Sequence, residues 1–105
     1  MADGGSRGTD PFELVQRAGA GDTAAFEQLY RQHCGRVHAV CLLLTRDPSL
    51  AEDCTQEAFI LAWRSLPRFE ARSAFGTWLH RIAVNVVLER RRRPVAPVDF
   101  VDELP

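Results

Sequence analysis

Hydrophobic positions along this chain return at steps of three and four, in separate blocks. After Asp22 the block is Phe26, Leu29, Tyr30, His33, Val37, Val40, Cys41 and Leu44, the pattern of a helix that buries one face. From Ala51 the same step picks out Cys54, Ala58, Leu61 and Ala62, and Phe59, Trp63 and Leu66 widen the stripe. A last block holds Phe75, Trp78, Leu79, Ile82, Ala83, Val86 and Val87. No run alternates with the strict period of two that marks a half-buried strand.

The residues between these blocks are helix punctuation. Asp10-Pro11 predicts a start, with Asp10 as N-cap, Pro11 in the first turn and Glu13 completing a capping box. That short helix ends near Gly19 and Gly21. Asp22 caps the second helix. Asp47-Pro48 opens the third, which Pro67 stops near Leu66 because proline lacks the N–H and clashes with the preceding turn. PRFEARS, residues 67–73, reads as a loop closed by a capping Ser73, and the fourth helix runs through Arg90–Arg93 until Pro94. The expectation is an all-α fold, a compact bundle of about four helices over residues 10–93. Residues 1–9, glycine-rich and small, read as a disordered lead. Residues 94–105, with three prolines and three acids, read as the start of an interdomain linker.

At 105 residues the chain suits one domain with one core. Its net charge of −1 conceals a strong segregation. Residues 1–57 hold nine acids and five arginines, residues 58–93 hold eight arginines and two acids, and residues 94–105 hold three acids. The middle segment therefore carries +6, a local positive field of the kind a phosphate backbone feels. All thirteen basic residues are arginine; the planar guanidinium fork suits phosphates and base edges, and a GC-rich genome produces the same bias. The three cysteines, Cys34, Cys41 and Cys54, have no CxxC spacing, so a disulfide framework is not expected and a reducing compartment fits. With no apolar leader in MADGGSRGTD and no run near the roughly 20 residues of a membrane span, the reading is cytoplasmic.

Three constellations are chemically suggestive. Between Arg68 and Arg93, the aromatics Phe69, Phe75 and Trp78 share the chain with Arg68, Arg72, Arg81 and Arg90–Arg93. Single-stranded nucleic acid is held this way, bases on aromatic faces and phosphates on arginines. The competing explanation is core spacing for the apolar residues and macrodipole compensation for the terminal arginines. In AEDCTQEAFILAWRSL, Asp53, Gln56 and Glu57 lie at i, i+3 and i+4, one polar face suited to a partner helix, although acids also favour a helix N-terminus. Cys34, His38 and Cys41 share one helical sector and include zinc-ligand types, but no fourth ligand stands at a convincing spacing. No cofactor is expected. Catalytic signatures are missing too: there is no Gly-rich phosphate loop, G-x-S-x-G elbow or H-E-x-x-H pair, and the reading is not an enzyme.

The run AEDCTQEAFILAWRSLPRF, followed by SAFGTWLHRIAVN and the arginine cluster, resembles region 2 of the extracytoplasmic-function (group 4) sigma-70 factors over residues 22–93. The resemblance implies a transcription initiation domain that binds the clamp helices of the RNA polymerase β′ subunit. Asp53, Gln56 and Glu57 would make polar contacts there, supported by Phe59 and Trp63. It further implies recognition and melting of the −10 promoter element by capture of a flipped non-template base. Phe69, Arg72 and Ser73 belong to the implied pocket loop, Phe75 to its aromatic set, and Trp78 and Asn85 to the adjoining helix. Arg72, Arg81, Arg90, Arg91, Arg92 and Arg93 would hold phosphates or the duplex edge. An anti-sigma protein is an implied second partner. The family's second, helix-turn-helix domain, region 4, has no counterpart in this sequence. Two other readings stay open: a helical protein-interaction module without selective DNA binding, and a thiol- or metal-responsive switch through Cys34, His38 and Cys41.

Overall fold

The computed structural model describes residues 11–92, so the Asp10 cap, the lead, Arg93 and the tail lie outside the described residues. Helix α1 spans Pro11–Gly19, α2 Thr23–Thr45, α3 Pro48–Ser65 and α4 Phe75–Arg92, with a 3-10 turn over Leu66–Arg68. No strand occurs among the described residues, and the all-α expectation holds.

The junction between α1 and α2 shows why the breaks fall where they do. The Asp22 amide donates to the Arg17 carbonyl at 3.0 Å and the Gly21 amide donates to the Ala18 carbonyl at 3.0 Å. That pair of bonds is a Schellman stop with Gly21 in the C′ position. Gly21 has φ 103°, a region open to glycine and strained for a residue with a Cβ. One residue on, Asp22 turns from stop to start: its carboxylate accepts from the Ala24 and Ala25 amides and from Arg17 Nε. The Ala25 hydrogen bond and the Arg17 side chain hold the Asp22 carboxyl below its ordinary range. We expect Gly21→Ala to lower unfolding free energy by about 1–2 kcal/mol, since the new Cβ meets open space but the backbone is strained. A urea midpoint unchanged from the parent would show that this turn tolerates an ordinary residue.

Asp47 repeats the capping role for α3, accepting from the Ser49 and Leu50 amides, with Pro48 in the first turn. Pro67 follows the end of α3 as expected, and the chain tightens into the 3-10 turn. Ser73 is a correction. The first bond of α4 runs from the Trp78 amide to the Ala74 carbonyl, and no Ser73 side-chain cap is found among the described residues. Ala74 occupies the boundary that Ser73 was expected to hold.

Helix α3 packs against α2 on one side and α4 on the other, while α1 lies on α2 and the 3-10 turn. Its inward face is narrow: Ala51, Cys54, Thr55, Ala58 and Ala62 are buried, and the Thr55 hydroxyl satisfies itself on the Ala51 carbonyl at 2.7 Å. Larger side chains from the neighbours, Leu14, Leu29, Leu79 and Val87, complete the core. Tyr30 is a second correction. Expected on the buried stripe of α2, it is 42% exposed, because the ring lies at the edge of the bundle against Phe59, 4.8 Å between centroids. No helix among the described residues is long and apolar enough to cross a membrane.

Candidate nucleic-acid interface

Residues 66–74 connect α3 to α4 around a hollow. Proline starts the turn, and Ala71 then adopts φ 56°, a left-handed conformation uncommon for a non-glycine residue. The reversal brings Arg72 Nη2 within 3.0 Å of Glu70 Oε1 across the loop tip. Behind the tip, Phe69 lies on Trp78 with centroids 4.6 Å apart and an interplanar angle of 36°. Phe75 meets Trp78 at 5.7 Å and Phe69 at 6.4 Å. The result is a hollow of about 250 Å3 lined by Arg68, Phe69, Glu70, Arg72, Ser73, Trp78 and Arg81. Three guanidinium groups surround an aromatic floor, and Glu70, the one acid there, is paired.

Five of the residues singled out in the sequence, Phe69, Arg72, Ser73, Trp78 and Arg81, thus converge. Arg68, named in the sequence only as part of the basic stretch, joins them; its place directly after Pro67 was the available signal. Phe75 does not line this hollow. It is 7% exposed and supports the hollow from beneath, a packing role where the resemblance implied a direct part in the pocket's aromatic set. Asn85 is also displaced. It lines a neighbouring cleft of about 250 Å3 between α3 and α4 with Glu57, Leu61, Ser65, Ile82, Val86 and Glu89.

The arginines at the end of α4 do not form one stripe. Arg90 reaches back to α3, its Nη2 3.1 Å from Glu57 Oε1. Arg91 donates to the Leu44 carbonyl at the end of α2, at 3.4 Å, and Arg92 lies 3.9 Å from Glu89. Between these arginines and the hollow stands the cleft that contains Glu57 and Glu89. Helical spacing alone did not reveal this alternation of basic, acidic and basic ground.

On α3, Asp53, Gln56, Ile60 and Arg64 form an outward strip, all four exposed. Ile60 is 50% exposed and carried no role in the sequence reading, although it stands seven residues after Asp53 on the same face. Glu57 turns toward α4 and its arginine. Trp63 is half-buried against Phe26, 5.0 Å between centroids. Phe59 is 5% exposed, enclosed by Phe26 and Tyr30, in keeping with its place on the buried stripe, and it supports the strip from inside.

The Cys34, His38 and Cys41 trio does not converge into a centre. No group of three His, Cys, Asp or Glu side chains among the described residues could hold a metal ion. Cys41 is fully buried, and burial pushes its thiol up, with a smaller opposing effect from a Thr55 hydrogen bond. Burial likewise raises the Cys54 thiol. All three cysteines are free.

Fold and site together define a class: a four-helix domain with an arginine-rimmed aromatic hollow at one end and a polar strip on the adjoining helix. The Sigma-70 region 2 family matches residues 29–94. Similar proteins include the ECF RNA polymerase sigma factor SigM of Mycobacterium tuberculosis, 38% identical over 93% of this chain and 52% of that protein. The ECF RNA polymerase sigma-E factor of Escherichia coli is 41% identical over 85% of this chain and 49% of its own length. The RNA polymerase sigma-H factor of Pseudomonas aeruginosa is 40% identical over 78% and 45% respectively. The chain belongs to the ECF sigma-70 family, as region 2, and spans about half the length of these relatives.

Proposed function

We propose that this chain is the part of a transcription initiation factor that docks on RNA polymerase core and opens the −10 promoter element. The reading is non-enzymatic and set in the cytoplasm. The relatives' names supply the polymerase and the sigma role; the residues above supply the division of labour. Asp53, Gln56 and Ile60 meet the β′ clamp helices, with Glu57 at the edge of that contact and Phe59 and Trp63 as its support. The hollow formed by Phe69 and Trp78 takes a non-template base after it leaves the stack, while Arg68, Arg72 and Arg81 hold the flanking phosphates. Asn85 serves the same strand from the adjoining cleft. Arg90–Arg92 sit beyond that cleft, where duplex DNA is expected, and Arg93 is assigned with them from sequence alone. An anti-sigma protein is the expected competitor for the polymerase strip.

The observation that carries this reading is the aromatic floor beneath three arginines. Extruding a base costs a few kcal/mol, and stacking on an aromatic side chain returns about 1–3 kcal/mol per base. Capture by this domain alone is therefore close to balanced, and polymerase must contribute to melting. The test is fluorescence anisotropy of labelled single-stranded −10-like oligonucleotides, with and without a β′ clamp-helix fragment. Sequence-selective binding that strengthens with the fragment is the expected result. Fragment binding without any DNA selectivity would leave a helical interaction module and overturn the base-capture reading.

A further inference from the structure

Helix α1 ends against the 3-10 turn at one close approach. A Cβ on Gly19, the last residue of α1, would stand 3.3 Å from the Leu66 carbonyl oxygen and 3.8 Å from the carbonyl carbon and the Leu66 Cγ. Leu66 is 3% exposed, its side chain held in the core. The same carbonyl accepts the Phe69 amide at 3.0 Å, the bond that closes the 3-10 turn. Phe69 in turn lies on Trp78, 4.6 Å between centroids. One van der Waals contact and one hydrogen bond thus separate α1 from Phe69 and the aromatic floor. Elsewhere α1 and the loop part around a cavity of about 510 Å3, with Pro67, Phe69, Glu70 and Ala71 along its loop side. Phe69 and Glu70 line both this cavity and the base hollow, so the loop is a single layer there with open space on each face.

We infer that Gly19 is a positioning residue for base capture, which sets the Phe69 ring over Trp78 by allowing α1 to close on the Leu66 carbonyl. The inference rests on the base-capture reading and deepens it, by naming what fixes the floor of the hollow. Gly19 is helical, so alanine would suit its backbone and even favour the helix. The cost of a side chain falls on the contact instead. At 3.3 Å the new Cβ is tighter than ordinary van der Waals contact, and Leu66 must give by a few tenths of an ångström. A flexible side chain would swing aside, but a carbonyl moves only with its whole peptide plane. Tilting that plane misaligns the bond from the Phe69 amide, which weakens steeply with angle. The displacement then passes to the ring, whose contact with Trp78 depends on mutual orientation. Arg68, Arg72 and Arg81 act through charge on long side chains and tolerate such a shift. The defect is therefore one of base selectivity, with phosphate attraction retained.

The test uses the 105-residue chain as parent, as Gly19→Ala, and as Gly19→Ala combined with Gly35→Ala. Gly35 is exposed within α2 and a Cβ there meets open space, so its replacement should raise the urea midpoint without touching the loop. Anisotropy with matched and scrambled −10-like single strands gives the selectivity, and the Phe69 amide resonance of isotope-labelled protein gives the loop position. In both variants the preference for the matched strand should fall about fivefold, part of the roughly tenfold to hundredfold that one stacked base supplies. Affinity for the scrambled strand and for a clamp-helix fragment should stay at the parent's level. The Phe69 amide proton should move upfield as its hydrogen bond weakens, while the Leu50 amide, bonded to Asp47 at the start of α3, should not move. An unmoved Phe69 amide overturns the inference. Selectivity restored by adding Gly35→Ala overturns it too, because a fault cured by extra stability is one of folding. A parent with no preference between the strands, whose Phe69 amide is still displaced by Gly19→Ala, would remove the base-capture reading and keep α1 as the anchor of the loop.

Discussion

Trp78→Ala should lower affinity for the −10-like single strand by roughly tenfold to a hundredfold, the equivalent of about 1–3 kcal/mol for one stacked base. The ring is half-buried, tilted against Phe69 at 4.6 Å and Phe75 at 5.7 Å between centroids, and it lines the hollow with Arg68, Arg72 and Arg81. Truncation to alanine removes the surface on which a base would lie. It leaves the three arginines in place, so the remaining binding should be weak, salt-sensitive and indifferent to sequence. Trp78→Phe is the companion variant: it keeps an aromatic face and should recover much of the selectivity. Both should bind a clamp-helix fragment as the parent does, because the outward strip lies on α3. Anisotropy with matched and scrambled oligonucleotides decides the matter. Equal affinity of parent and Trp78→Ala for the matched strand would mean that no base stacks there.

One residue further along the same helix, the expected loss is of a different kind. Leu79→Ala should lower unfolding free energy by about 2–5 kcal/mol, the range for deleting a buried leucine side chain that its neighbours cannot refill. Leu79 is 0% exposed and sits with Leu14, Leu29 and Val87 at the centre of the bundle. Domains are stabilised by roughly 0.05–0.15 kcal/mol per residue, so a loss of this size is a large fraction of what the chain has. The signature is a lower urea midpoint with strand binding and clamp-fragment binding reduced together, in proportion to the unfolded fraction. Trp78→Ala, by contrast, separates the two activities. A midpoint within about 0.5 kcal/mol of the parent's stability would show that the core can close over the missing side chain.

The contrast between those neighbours also shows how far the sequence could be read. Helix limits were legible wherever one residue forces a break: the Gly21 and Asp22 junction, Asp47-Pro48, and Pro67 after α3. Those are local effects of backbone conformation and capping, and they need no tertiary information. Ser73 misled because a serine before a helix caps it only if its side chain can turn back to the first amides. The apolar stripes located the core side of each helix but not its margins. Tyr30 and Phe59 are both aromatics near the edge of a stripe; which of them faces water depends on how α2 and α3 pack together. Within the site, the loop aromatics and arginines were legible as a cluster because they are close in sequence. The pairing of Arg90 with Glu57 joins residues 33 positions apart, and so does not register in any local pattern. The same long-range packing put Asn85 in an acid-lined cleft rather than in the hollow, and left Ile60 exposed.

Helix α3 keeps its packed and its exposed residues on separate sides. Inward it presents alanines, Cys54 and a threonine that bonds to its own backbone, and outward it presents Asp53, Gln56, Ile60 and Arg64. Because no outward residue contributes a buried side chain, this strip can be rewritten almost freely without disturbing the bundle. Under the proposed docking role, partner choice on that face is thus open to gradual divergence, or to redesign, by single exposed substitutions, each with little effect on folding.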